Sequence, residues 1–521
     1  MAVRPAWGTQ AAAIIVAALV LMSPGIAFGY IITHSSMFNV SWAEGFAAAL
    51  ARGEAYPRWL PDMNDGMGSP VFYFYAPLPF YLTAPLVWLT GAPGLAVVLG
   101  SALMLALSGL AGLLLFREFA GPRTSLMLAI AYMAMPYHLL VDVWVRGAYA
   151  EQAAFIFLPL AVLCLWRLPR DWRYVIGLAL ATAGQAMSHL PSALFFAATM
   201  TALSLWLAWR QRSWRVLALA ALGGGIGLLA SAVYVLPALA LQPAINPQFW
   251  SIYLPGDNPV GHGRQVFDVL LLVSTLLPAA LLFSAAWLAR GDRDLWPWLL
   301  LGIAVLFLVS PFASPLWPLL GPLQIVQFPW RSLFVLDLFA LIVLALALRR
   351  NRPKAGELPK LLFIGIALLV AMTAMARHSA GPERGSSLRT SEREEMQRLA
   401  VKADAVEYLP ACIPLPARYL GGVLSTGLLL EDYRTRTFAP DRLRVFHYPF
   451  LEVTAGDKVL ATSCDPASGL IVADVPSGMT ATVRRRPAPI ETVATSITAA
   501  AFLALVVLGF FGWRKGERRR S

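Results

Sequence analysis

The chain has 521 residues, 58% of them hydrophobic and 13% charged, against about a quarter charged in soluble domains. Long apolar runs recur to its end, which excludes a soluble globular enzyme and reads as an all-α polytopic membrane protein. The net charge of +12 lies in short loops between apolar runs and in a C-terminal cluster (Arg514, Lys515, Arg518, Arg519, Arg520). That is the pattern of cytoplasmic loops, not of nucleic-acid binding.

Arg4 precedes an apolar run, Ala11 to Ile32, too long for a signal-peptide core and read as an uncleaved first span with the N-terminus inside. The first outer loop, 33–94, follows. Within it Trp42, Phe46 and Leu50 recur at helical spacing, predicting a short amphipathic helix in the membrane interface over Trp42–Arg52. Next come an aromatic turn (Tyr56-Pro57-Arg58-Trp59), an acidic glycine loop (Asp62, Asp65, Gly66, Gly68) and an aromatic segment broken by Pro77, Pro79 and Pro85. Charge placement decides whether 71–90 crosses the membrane. With a non-crossing segment, Arg117/Arg123, Arg167/Arg170/Arg173, Arg210/Arg212/Arg215, Arg290/Arg293, Arg349/Arg350/Arg352/Lys354 and the C-terminal cluster all fall on the cytoplasmic side. With a crossing segment every one of them inverts, so 71–90 is read as interfacial.

The remaining spans are expected at 95–116, 124–141, 153–167, 174–190, 193–209, 214–236, 267–289, 295–311, 331–348, 359–376 and 492–513. With the first, that makes about 12 spans of the length a bilayer requires. Residues 1–376 form the membrane domain, 377–491 a polar extracytoplasmic region, and 492–521 the last span with its basic tail. The polar region opens on a charged helical stretch (Ser391 to Leu409) and continues in short alternating runs split by Pro, Gly and Asp, predicting a small β-rich domain. Cys412 and Cys464 both fall there and form a candidate disulfide pair, whereas Cys164 lies in an apolar run.

Arginines on the outer side depart from the charge rule and call for a reason. Arg58, Arg146, Arg264 and Arg331 adjoin apolar spans and can grip a phosphate or snorkel to lipid headgroups. Arg58, Arg146 and Arg331, with their neighbours Trp59, Tyr149, Gln327 and Trp330 and with His189 at a span end, are the substrate-binding candidates. Glu151, Asp142, Asp62 and Asp65 are the carboxylates placed to act as a general base or to hold a divalent metal. Asp62-Met63-Asn64-Asp65-Gly66 also reads as a plain turn, and Glu151 as a helix N-terminal charge. Asp337 is the notable mid-span acid, but no paired broken helices of the transporter kind are evident.

Several segments together resemble a known family: EAYPRWLPDMNDGMGSPVFYFYAPLPFYL, VRGAYAEQAAFIFLPL, SHLPSA, QFPWRSL and EYLP. They are similar to bacterial membrane proteins catalogued as 6-pyruvoyl-tetrahydropterin synthase-related, distant members of the glycosyltransferase type C (GT-C) superfamily. The resemblance covers nearly the whole chain. Pterin synthase itself is a soluble zinc enzyme, and its histidine cluster has no counterpart here. The resemblance implies a first outer loop with two interfacial helices, a bundle of spans and an outer soluble domain. It also implies a polyprenyl-phosphate-linked sugar as donor at the outer face of a bacterial plasma membrane, a glycan or protein acceptor, and a first-loop carboxylate serving as base or as ligand to Mg or Mn. The family's acidic residue soon after the first span is missing: Thr33 to Asn39 contains none. A non-catalytic binder or export helper for polyprenyl-linked glycans is therefore the alternative expectation.

Overall fold

The computed structural model describes residues 7–28, 33, 35–246, 266–326, 328–350, 402–413, 430, 433 and 441–517; the expected span at 359–376 lies outside them. The chain is mostly helical. Among the described residues eight helices are long and apolar enough to cross a membrane, and ten segments are if each of two sharply bent pairs counts as one span. In chain order these are α1 (Trp7–Phe28), α5 (Pro93–Phe116), α6 (Pro122–Ala134) running into a π-helix (Tyr137–Arg146), α7 (Tyr149–Arg167), α9 (Leu190–Gln211), the bent pair α10 (Trp214–Ala230) and α11 (Ala232–Ala240), α12 (Val266–Leu288), α13 (Trp296–Val309) bent into the following 3-10 turns, α14 (Leu333–Arg350), and α15 (Pro489–Glu517). At 15 residues α8 (Tyr174–Ser188) is apolar but shorter than a full span.

The first outer loop forms α2 (Ser36–Ala51), α3 (Val71–Phe74) and α4 (Leu78–Thr90). The 13 residues of α4 extend about 20 Å at 1.5 Å per residue, too short for a hydrocarbon core of about 30 Å. Gly91, at φ 62°, caps α4 in the left-handed conformation, and Pro93 starts α5 at once. This is the non-crossing segment that charge placement demanded. The expected amphipathic helix exists but begins at Ser36 rather than Trp42, and it is mostly buried. Trp42 packs among Phe72, Tyr75, Phe80 and Tyr408, so tertiary cover hides the face that spacing alone assigned to the interface.

The bundle has two unlike ends. At one end Arg117 meets Gln10 and lies over Trp7, and Glu118 pairs with Arg167 and Arg170. Arg210 reaches Asp294 and Arg349 reaches Asp292 at that same end. The other end carries α2 to α4 and the β-rich part. There β1 (Arg442–Phe446), β4 (Thr462–Cys464) and β5 (Leu470–Ala473) form one antiparallel sheet in the order β1-β5-β4. The strands β2 (Leu451–Ala455), β3 (Lys458–Leu460) and β6 (Ala481–Arg485) form a second, ordered β3-β2-β6. Cys412 and Cys464 are joined as a disulfide.

Three ties clamp the first outer loop to the β-rich part. The first is aromatic: Tyr73 stacks on Phe450 at 4.3 Å, and Trp59 meets Tyr448 edge-on at 5.6 Å. The second is ionic. Glu491, at the start of α15, accepts from Arg58 at 2.9 Å, Arg485 at 2.8 Å and the Tyr73 hydroxyl at 2.7 Å, with Arg58 only 3% exposed. The third is Asp404, wholly buried, whose carboxylate accepts from Trp42 Nε1 at 3.1 Å while its own amide donates to the Asn64 side chain.

Two predictions follow from these ties. Replacing Glu491 by Gln leaves two arginines facing a neutral amide, and breaking a buried pair costs about 3–5 kcal/mol; a clear fall in the thermal midpoint of the purified protein is the expected result. Burial holds the Asp404 carboxyl up at about 6, above its ordinary 3.8. A raised folded-state value favours folding while the group is protonated. Stability from this site is therefore full below about pH 4 and is lost as pH rises through about 6. Thermal midpoints measured across pH 4 to 7 should show that loss, and Asp404→Asn should flatten it.

A buried charge centre at one end of the bundle

Pro136 ends α6, and the next ten residues wind as a π-helix, Tyr137–Arg146. Its wider i→i+5 turn brings Tyr137, Asp142 and Arg146 to one stripe, and such segments concentrate at functional sites. Gly147, at φ 58°, ends it, and α7 begins two residues later with Glu151 in its first turn. The result is a cluster built from three chain segments. Arg146 Nη1 donates to Asp142 Oδ1 at 2.6 Å and to Glu151 Oε2 at 2.8 Å. The Tyr137 hydroxyl donates to Glu151 Oε1 at 2.7 Å and lies 3.4 Å from Arg146 Nη1. Arg331 comes from a 3-10 turn (Pro329–Ser332) that leads into α14; its Nε stands 3.6 Å from Glu151 Oε2, and its Nη1 donates to the Val326 carbonyl at 2.7 Å. The side chains of Asp142 and Glu151 are at most 1% exposed and those of Arg146 and Arg331 about a tenth. Two guanidiniums and two carboxylates thus cancel in a nearly dry site, the arrangement that makes buried charge tolerable.

Two further groups border the centre. His189 caps α9, its Nδ1 accepting from the Ser192 amide, and it lies within electrostatic reach of Glu151, Arg146 and Arg331. The Tyr75 hydroxyl, from the first outer loop, accepts from the Ala150 amide and faces the same charges. Trp330 stacks on Phe328 at 4.2 Å, and Arg331 lies 5.0 Å over that same Phe328 ring.

Among the sequence candidates the structure therefore brings together Asp142, Arg146, Glu151, Arg331 and His189. Others stand elsewhere. Arg58 is held by Glu491, and Trp59 packs over Gly68, whose φ of 85° and lack of a side chain the ring requires. Tyr149 is fastened under α4 by a hydroxyl contact to Thr83. Asp62 is exposed in a run of turns, and Asp65, left-handed at φ 57°, pairs with Arg444 of β1 at 3.4 Å. Arg264 and Gln327 lie outside the described residues. Tyr137 and Glu491 were not singled out from sequence. Only the nine-residue separation of Tyr137 from Arg146 hints at a shared face, and then only for a helix wound as a π-helix.

The donor set does not fit a divalent metal. Glu151 spends both oxygens on Tyr137 and Arg146, and Asp142 spends one on Arg146. Among the described residues no three His, Cys, Asp or Glu side chains are grouped to hold an ion. One carboxylate oxygen of the centre, Asp142 Oδ2, is buried with no hydrogen-bond partner among the described residues.

No family model matches the chain. No curated protein matches it either. Solved structures do align. Arabinofuranosyltransferase AftD from Mycobacteria aligns over 72% of this chain at 18% identity and a TM-score of 0.45, and its R1389S mutant in a first class over 73% at 19% and 0.46. ArnT from Cupriavidus metallidurans bound to undecaprenyl phosphate aligns over 66% of this chain and 78% of its own, at 10% identity and a TM-score of 0.32. The chain spans about a quarter of the length of the mycobacterial proteins, 26% and 28%.

Arg146 is the cation on which the cluster depends. Arg146→Ala strands Asp142 and Glu151 in a buried site, at a cost of about 3–5 kcal/mol. One terminal nitrogen makes all its contacts, so Arg146→Lys should keep most of that stability; parallel thermal melts of the two variants check the difference.

Proposed function

We propose that the chain is a membrane glycosyltransferase of the type C kind, using a polyprenyl-phosphate-linked sugar at the outer face of a bacterial plasma membrane. The observation that carries this reading is the convergence of Arg146 and Arg331 at the end of the bundle opposite its basic loops. Two guanidiniums from separate segments, each near a tenth exposed, suit a lipid-borne phosphate better than bulk headgroups do. The motif resemblance across the chain adds to it. By the positive-inside rule the Arg167 and Arg349 end is cytoplasmic, which sets both termini inside and the charge centre outside.

In this reading the arginines grip the donor phosphate and stabilise the charge that develops as it leaves. An acceptor hydroxyl oxygen bonds to the anomeric carbon while the bond from that carbon to the phosphate oxygen breaks, the electron pair departing with the phosphate. The hydroxyl proton passes to a carboxylate. Asp142, with one unpartnered oxygen, is better placed for that proton than Glu151, whose oxygens are engaged. Glu151 instead orients Arg146 and Arg331. Because the four charges already cancel, an arriving anion competes with Glu151 for the same guanidiniums.

Three outcomes test the scheme in vesicles. A cysteine at Gly121 should label only from the cytoplasmic side and one at Gly456 only from the outside. Arg146→Lys and Arg331→Ala should each lower donor affinity at least tenfold, since a point charge does not replace a fork on phosphate. Glu151→Gln should bind a polyprenyl phosphoryl sugar more tightly than the parent, and Asp142→Asn should bind it while transferring nothing. A second reading, a non-catalytic binder of the same lipid, draws on the acid-free stretch Thr33 to Asn39 and on the complete burial of Asp142. Donor binding by the parent protein without transfer to any acceptor would establish that reading in place of the first.

A further inference from the structure

Between α1, α2, α5, the π-helix and α7 lies a cavity of about 30 Å³. Asn39 of α2, Trp144 of the π-helix and Gln152 of α7 line it, at 1%, 8% and 3% exposure. Each carries one buried polar atom with no partner among the described residues: Asn39 Oδ1, Trp144 Nε1 and Gln152 Oε1. The amide orientations are set by their other ends. Asn39 Nδ2 donates to the Gly147 carbonyl at 2.8 Å, and Gln152 Nε2 donates to the Asp142 carbonyl at 3.2 Å. Both side-chain oxygens are therefore acceptors, and the indole N–H is a donor. Buried polar atoms find partners in native proteins, so three orphans around one cavity call for a ligand.

We propose that this cavity is a built site for ordered water. A single water needs about 10–15 Å³ of such space and two to four polar partners, so the volume has room for at least one molecule. One water accepts from Trp144 Nε1–H and donates its two protons to Asn39 Oδ1 and Gln152 Oε1, which closes every orphan at once. A sodium ion suits the two carbonyl oxygens but meets the positive end of the indole N–H, so the donor in the set selects water over a cation.

The position gives the water a task that does not rest on the catalytic reading. It ties α2, the π-helix and α7 at the point where Asn39 and Gln152 also hold the Gly147 and Asp142 carbonyls. Those carbonyls belong to the turn that aims Arg146 and Asp142. The water is thus a positioning element for the charge centre, acting through the Gly147 and Asp142 carbonyls.

The test uses the full chain in lipid nanodiscs. High-resolution density should contain a peak about 3 Å, a hydrogen-bond length, from all three atoms. The unfolding midpoint should be the same in sodium chloride and in choline chloride. Absence of any peak overturns the proposal, as does entry of xenon under pressure, since xenon fills dry cavities. A midpoint several degrees higher in sodium chloride also overturns it, in favour of a cation site.

Discussion

The structure hangs on a cation held between two acids out of water. Arg146 reaches Asp142 and Glu151 with a single nitrogen, and Arg331 supplies the second positive charge. An isolated ion here would cost several kcal/mol in desolvation, and mutual attraction repays that only in good geometry. The π-helix provides the geometry. An ordinary α-helix closing i→i+4 would turn Tyr137 away from Asp142 and Arg146, whereas the wider turn keeps the three together. Pro136 and Gly147 bound the irregularity, which stays between α6 and α7.

The same end of the bundle carries the first outer loop, and the loop is rigid for reasons unrelated to lipid. Arg58 looks from sequence like a companion to Arg146, yet it belongs to a separate ionic knot. Glu491 gathers Arg58, Arg485 and Tyr73 where the last span meets β6. Asp404 ties the far side of the loop through Trp42 and Asn64. Held at both places, α2 to α4 present Tyr75 to the charge centre as a fixed wall. Two arginine sites therefore divide the work: one docks the β-rich part, and the other gathers the buried charges beside it.

Much of this was legible in the sequence because a bilayer constrains it so strongly. Apolar length and loop charge located the spans and the non-crossing 71–90 segment, since each depends on composition over many residues. Arg146 and Arg331 stood out because arginine on the outer side of a span is costly. The partnerships were less legible. Nothing local distinguishes Arg58, neutralised by a glutamate 433 positions later, from Arg146, neutralised by residues four and five away. The acidic loop at Asp62 and Asp65 read equally as a site or a turn, and only the left-handed backbone and the contact to Arg444 place it as a docked turn. The π-helix was illegible for a similar reason: periodicity analysis assumes 3.6 residues per turn and assigns Tyr137 to the wrong face.

The two acids of the centre are chemically unequal, and the inequality follows from where each sits. Glu151 opens α7, so its side chain extends towards Tyr137, Arg146 and Arg331 together and saturates. Asp142 lies inside the π-helix with a shorter side chain. It reaches Arg146 with one oxygen, and the other stays buried and unpartnered. A saturated carboxylate is a poor proton acceptor, because gaining a proton means giving up an ionic contact. A half-engaged one gains a hydrogen-bond donor where it had none. Paired carboxylates in unlike surroundings are how one site separates an anchoring role from a proton-handling role. In the proposed reading that separation arises from one glycine-bounded turn and the length difference between Asp and Glu.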